Sequence, residues 1–500
     1  PPARATSNVP SVRAILAHYA RAIADPNAVD LEHVETVGTL AGEGLSGTFH
    51  DWVQGDDERS DENLGPRVQR TLRLGENLYA QDANGNVRLL TGVLARRDRT
   101  ERFVDTGSFV SKPERSVVRG ADLVDGRAVY SLDVTADGGD TETLDLDAES
   151  GLPDRVEFDD DDGRTTVDLS DWRTIGGRRF AFKSVQSDGD HIFDTTQLTS
   201  SVTLDLRIEP SIFAPLAARR IDMAAPIEVP LTFSSGHLYV PIRIGTHAYT
   251  FLVDTGAQDI LLDKRVAADL KLQPIGALEA SGASRTGGLQ LVRLNDLDIG
   301  GAHLRDLVVT TIDLGASTAG AFKIDGVLGY PFFAEVTARL DAANRRMTFG
   351  PPGSLAIVGE RVPLELDRSF PEARALLDRS VSAPFIFDTG NAAELLLYKP
   401  FVDRHASVVP FTSVSRRSFG IGGETQSYRT SLDEIDLGTT PIYHADTDVM
   451  LATSGAFADR YDAGNVGLGL LRKFVVTFDY ANAAMYLERG SAFDDGRLRE

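Results

Sequence analysis

The sequence predicts a mainly β protein, in which a curved antiparallel sheet with one or two helices precedes a duplicated β-unit. Three observations predict it. Short alternating apolar and polar runs are punctuated by glycine and aspartate turns, with 46 glycines in 500 residues. Coiled-coil heptads are absent. The region 227–352 can be laid over 361–490 with its features in the same order, which is the sign of an internal repeat.

Bulk properties bound the function. A hydrophobic content of 42% and a charged content of 25% are those of a soluble globular protein. Five hundred residues exceed one ordinary domain. The formal net charge of −23 argues against a nucleic-acid partner, which needs clustered Lys and Arg, and against an anionic membrane surface. Without cysteine there can be no disulfide, thiolate metal site or thiol nucleophile. No apolar run approaches the ~18–20 residues of a membrane helix. The chain opens at Pro1 without an initiator Met, so its start is processed or trimmed, and a removed export signal fits.

Taken in order, residues 8–24 read as an amphipathic helix, with Val9, Val12, Ile15, Leu16, Tyr19 and Ile23 on one face and Ser7 or Asn8 as its cap. Strands follow from about 33 to 95, and Asn84-Gly85 marks a hairpin turn. A charged helix-like piece occupies 93–104, and strands resume through 115–208. In that region Gly151-Leu152-Pro153 and Ile175-Gly176-Gly177-Arg178-Arg179-Phe180 are similar to strand pairs of lipoprotein-carrier (LolA/LolB-like) domains. Pro210, Pro215, Pro226 and Pro230 punctuate a linker at 209–230. The expected division is 1–222, then repeat halves 223–354 and 355–492.

The repeat is carried by matched segments. Phe251-Leu252-Val253-Asp254-Thr255-Gly256-Ala257 corresponds to Phe385-Ile386-Phe387-Asp388-Thr389-Gly390-Asn391. Helix-sized pieces starting at Lys264 and Lys399 come next, then Gly-rich segments around Gly282, Ser284, Arg285 and Gly287, and around Gly420, Ile421, Gly422 and Gly423. Gly326-Val327-Leu328-Gly329 then matches Gly467-Leu468-Gly469, and Asp341–Phe349 matches Asp479–Leu487.

An apolar strand ending in Asp-Thr-Gly, a Gly-rich hairpin, then two apolar residues and glycine resemble the pepsin/retropepsin-like aspartic proteases. Ala257 and the Gly420–Gly423 segment favour the retropepsin side, so the chain looks like a bacterial single-chain enzyme with two fused retropepsin-like halves. The resemblance implies a bilobal β-barrel pair, Asp254 and Asp388 as the catalytic carboxyls, and Thr255, Gly256, Thr389 and Gly390 as their support. It also implies flaps at the Gly-rich segments, an extended polypeptide substrate bound as an added strand, and no metal or other cofactor. A monomer is expected, as is a periplasmic or secreted location. The residue types suit that chemistry. Two carboxyls within reach share one proton, so one site holds both a base and an acid around a single water. Glycine after each Asp-Thr is expected to permit a sharp turn. A rival reading is a non-catalytic envelope binding protein, whose N-terminal sheet holds a lipid or peptide and whose barrels dock partners.

Several motifs are decoys. Asp105-Thr106-Gly107 follows a charged helix-like stretch and reads as a helix end. Asp159–Gly163 lacks the spaced oxygen ligands of a calcium loop and reads as a hairpin tip. The nine histidines show no metal-ligand spacing, and His237 and His247 read as surface or barrel-end residues. Gly464-Asn465-Val466-Gly467-Leu468-Gly469 has the wrong glycine order for a dinucleotide loop.

Overall fold

A computed structural model describes residues 9–160, 163–281, 286–317, 324–411, 415–420, 423–453, 455–491 and 493. The chain forms two compact units, one of residues 1–80 with 90–215, the other of 81–89 with 216–500. The fold is mainly β, as the sequence predicts.

In the first unit, His33–Gly42 and Thr195–Leu204 pair antiparallel at the middle of a thirteen-stranded sheet. Successive hairpins extend the sheet outwards on both sides, one flank ending at the edge strand Ser116–Val124. The helix Val12–Ile23 lays Ile15, Leu16 and Tyr19 on this sheet, in a core with Phe109, Leu132, Val134, Leu144 and Leu146. It starts later than its apolar period suggests, because Pro10 disfavours helical backbone at Val9. Ser11, rather than Ser7 or Asn8, supplies the cap, its hydroxyl accepting from the Ala14 amide. The Asp105-Thr106-Gly107 decoy does end the helix Val93–Asp105, where Gly107 takes a left-handed φ of 70°. Asp160 pairs with Gly163 across its hairpin and accepts from Arg97, while Asp161 and Asp162 lie outside the described residues.

The second unit holds two closed six-stranded barrels. In the first, strands His237–Ile244 and Thr286–Ile299 pair to close the ring, and in the second, Glu372–Leu377 and Gly423–Leu437 do so. A six-stranded sheet joins the halves, with Thr337–Asp341 and Phe474–Asp479 antiparallel at its centre. One continuous apolar core runs through both barrels and this sheet, from Leu238 and Phe251 to Phe385 and Phe478. The proline-rich stretch is only partly a connector, since Ile227–Pro230 is already an outer strand of the joining sheet.

Residues 81–89 also pack within this unit. Gly85 takes a left-handed φ of 81°, as its hairpin turn requires. Asn84 is buried, and its carboxamide donates to the Val308 carbonyl (3.1 Å) and accepts from the Val308 amide (2.8 Å). One side chain thus does for the strand Ala302–Ile312 what a neighbouring backbone would do.

Candidate active site

Strand pairing brings the two Asp-Thr-Gly turns to one point. His247–Val253 runs antiparallel to His237–Ile244 and parallel to Gly326–Leu328, and the chain leaves this slot at Asp254. Val381–Asp388 is gripped in the same way by Glu372–Leu377 and Gly464–Gly467. The apolar residues before each aspartate, Phe251 and Val253 in one half and Phe385 and Phe387 in the other, are fully buried and fix where each strand ends.

The turns are then bonded to each other crosswise. Thr255 Oγ1 donates to the Phe387 carbonyl (2.6 Å) and accepts from the Thr389 amide (3.0 Å). Thr389 Oγ1 donates to the Val253 carbonyl (2.9 Å) and accepts from the Thr255 amide (3.0 Å). Both threonines are fully buried, so these four bonds satisfy backbone groups that no water can reach. The glycines serve a purpose other than turning. Neither Gly256 nor Gly390 has a positive φ. A Cβ on Gly256 would strike the Asp388 carboxyl, and one on Gly390 would strike the Asp254 carboxyl. Glycine is required here for close approach.

The two carboxyls interact directly, and both are raised above the usual carboxylate range. Burial, then the Asp388 charge, holds Asp254 well above the usual carboxylate range. Burial raises Asp388 too, but hydrogen bonds to its charged form oppose that rise. Its Oδ1 accepts from the Gly390 (2.8 Å) and Asn391 (3.2 Å) amides, and its Oδ2 from Asn465 Nδ2 (2.7 Å). Asp254 Oδ1 accepts from the Gly256 amide at 2.9 Å. Two carboxyls in contact favour one shared proton.

Beneath the first turn the Leu328 carbonyl accepts from the Asp254 amide (3.1 Å). Strand register makes Asn465, Val466 and Gly467 the counterparts of Val327, Leu328 and Gly329, two residues before the Gly467-Leu468-Gly469 match that the sequence suggests. Leu468 is instead the counterpart of Tyr330, their amides donating to the Asn391 (2.7 Å) and Ala257 (2.9 Å) carbonyls. Of the expected flap residues, Gly287 lies in Thr286–Ile299, which pairs with Pro274–Ser281 as a hairpin. Gly420 and Gly423 face each other where Ser415–Gly420 meets Gly423–Leu437. Gly282, Ser284, Arg285, Ile421 and Gly422 lie outside the described residues.

Three residues near the pair escape the sequence reading. Asn465 appears there only as part of a structural glycine run, and Tyr398, whose hydroxyl donates to Asn465 Oδ1 (2.5 Å), has no motif at all. His237 stands at the start of the barrel strand His237–Ile244, the barrel-end alternative of the expectation; it is half-buried, with its ring by the Gly390 carbonyl, and burial lowers its pKa. The available signal for Asn465 is a break in the repeat, a polar residue where the other half has an apolar one.

The comparisons with known proteins bear on the first barrel. Residues 240–332 match the family of aspartyl proteases. That segment contains Asp254, Thr255 and Gly256. No curated protein matches the chain. Among solved structures, a DUF1329 family protein from Desulfovibrio piger is 15% identical, with a TM-score of 0.30 over 42% of this chain and 98% of its own. A putative outer membrane lipoprotein-sorting protein domain from Vibrio parahaemolyticus is 14% identical, with a TM-score of 0.28 over 40% and 95%. The LolA superfamily protein NE2245 from Nitrosomonas europaea is 15% identical, with a TM-score of 0.29 over 41% and 98%. Likenesses this slight say nothing of function. No helix among the described residues is long and apolar enough to cross a membrane.

Proposed function

We propose that the second unit is an aspartic endopeptidase that hydrolyses extended polypeptide with Asp254 and Asp388. The observation that carries this reading is the facing pair of carboxyls, Asp254 buried and Asp388 half-buried, held by reciprocal threonine bonds and faced by two glycines. A structural turn needs none of these. The pair, sharing one proton, activates a water for attack on the scissile carbonyl while the protonated member supplies its proton to the carbonyl oxygen. The paired strands Pro274–Ser281 with Thr286–Ile299, and Ser415–Gly420 with Gly423–Leu437, are the proposed flap strands, offering edges to an extended chain. An envelope or external location is proposed with it, from the resemblance of the N-terminal sequence to lipoprotein carriers.

The test is cleavage of denatured casein across a pH series by the parent protein and by Asp254→Asn and Asp388→Asn. The parent is expected to cut and each variant to lose activity by at least about 1,000-fold with its circular dichroism unchanged. A double variant that cuts at the parental rate would remove the reading. A folded parent that cuts no polypeptide at any pH would favour a binding protein.

A further inference from the structure

The two halves of the pair are built alike up to one position. Pairing aligns Leu252 with Val327 in the first half and Ile386 with Asn465 in the second, and Leu252 and Ile386 stand at the same place before their aspartates. Asn465 therefore occupies the position of Val327. A second register agrees, setting Leu261 opposite Val327 and Leu396 opposite Asn465. Two residues further on, Tyr398 stands where the first half has Asp263. That aspartate is otherwise engaged, accepting from the Arg265 and Leu314 amides. The series Tyr398–Asn465–Asp388 thus belongs to the second half alone.

The consequence follows from counting donors. Among amides of its own turn, the Asp254 carboxyl accepts from Gly256, and the Asp388 carboxyl accepts from Gly390 and Asn391. Asn465 is the additional donor. A carboxamide has one donor end and one acceptor end. With Oδ1 taken by the Tyr398 hydroxyl, the end facing Asp388 Oδ2 is an NH2, which only donates. An ionised carboxylate accepts that bond fully, whereas a proton on the same oxygen would oppose it. Tyr398 is 2% exposed and Asn465 5%, so water does not compete for either.

We propose that Asn465, held by Tyr398, makes the pair asymmetric, keeping the negative charge on Asp388 and leaving the shared proton on Asp254. This rests on the reading of the pair as catalytic and assigns its roles. As the water oxygen bonds to the carbonyl carbon, a water proton passes to Asp388 and the Asp254 proton passes to the carbonyl oxygen. When the carbon–nitrogen bond breaks, Asp388 protonates the departing amine and a hydroxyl of the diol returns its proton to Asp254. The starting arrangement is restored. Asn465 is a positioning residue in this scheme, acting through Asp388.

Other ionisable groups surround the series. Tyr480 lies beside both carboxyls, His237 is near the Gly390 carbonyl, and Arg368, Asp459 and Asp462 face Tyr398. All stay in place when Asn465 alone is changed.

The test uses the full chain and the variants Asn465→Val, which gives the second half the first half's residue, and Tyr398→Phe. Carboxyl carbon NMR titration reads which aspartate ionises first, and the acid limb of kcat/KM reads the same event in turnover. In the parent, Asp388 should ionise first. In Asn465→Val its ionisation should move up by about one pH unit, with the acid limb following and kcat falling about 10-fold at constant KM. Tyr398→Phe should move it in the same direction by less, and decides the matter if Asn465→Val does not fold. Asp254 ionising first in the parent, or parent and folded variants titrating alike, would overturn the proposal. If the carboxyls titrate as expected but no polypeptide is cut, the protease reading falls and the asymmetry stands.

Discussion

Each glycine of the two Asp-Thr-Gly turns faces the opposite aspartate, so each turn is complete only in the presence of the other. The threonines carry the same interdependence as hydrogen bonds. Thr255→Val keeps the shape of the side chain and removes its hydroxyl, leaving the Phe387 carbonyl and the Thr389 amide buried and unpaired. The expected loss is about 3 kcal/mol, because unmet buried groups carry their full desolvation cost. Urea unfolding checks it, as a lower midpoint at an unchanged slope.

At the scale of elements, the nine-residue segment 81–89 shows how a hairpin turn becomes a strand's partner. The sequence identifies Asn84-Gly85 as a turn, and a turn it is. The Asn84 side chain, however, bonds both backbone groups of Val308, and the Asn84 backbone carbonyl accepts from Arg219 Nη1 at 3.1 Å. From the same segment, Arg88 Nε donates to the Asp367 carbonyl (3.1 Å), and its guanidinium lies over the Tyr330 ring. Asn84→Ala should destabilise the protein by about 2 kcal/mol, since it removes two buried bonds and leaves Val308 unmet. Asn84→Asp keeps the acceptor and loses the donor, and its added charge should cost at least as much. Thermal unfolding of the intact chain compares the two variants.

For the whole molecule, buried acids set the pH dependence of stability. Burial, then the Glu101 charge, pushes Glu142 up to about 8. Burial pushes Glu335 up to about 7, against the opposing pull of Arg219. Both folded values exceed the ordinary value of 4.5, so folding binds protons. Their contribution is complete below pH ~4.5 and is lost as pH rises through about 7 for Glu335 and 8 for Glu142. The net charge of −23 acts in the same direction, because self-repulsion eases on acidification. Calorimetry between pH 5 and 9 should therefore show the unfolding temperature falling as pH rises. A flat or rising profile would contradict this assignment of the buried acids.

Both the fold class and the two aspartates are legible in the chain because their signals are local. Strand alternation, turn residues and Asp-Thr-Gly each span a few neighbours, and duplication shows each of them twice. Comparing the halves also assigns the decoy at Asp105, which has no repeated context. What the sequence leaves open depends on side chains meeting across long separations. Asn465 reaches Asp388 over 77 positions and Asn84 reaches Val308 over 224. No periodicity records such meetings. Gly256 and Gly390 are visible as residues, but their reason is not, since the steric demand comes from a carboxyl in the other half. By itself the sequence determined that there are two equivalent turns. Tertiary structure alone decided that they are unequal, because one buried amide donor, held by one tyrosine, reaches only one of the two carboxyls.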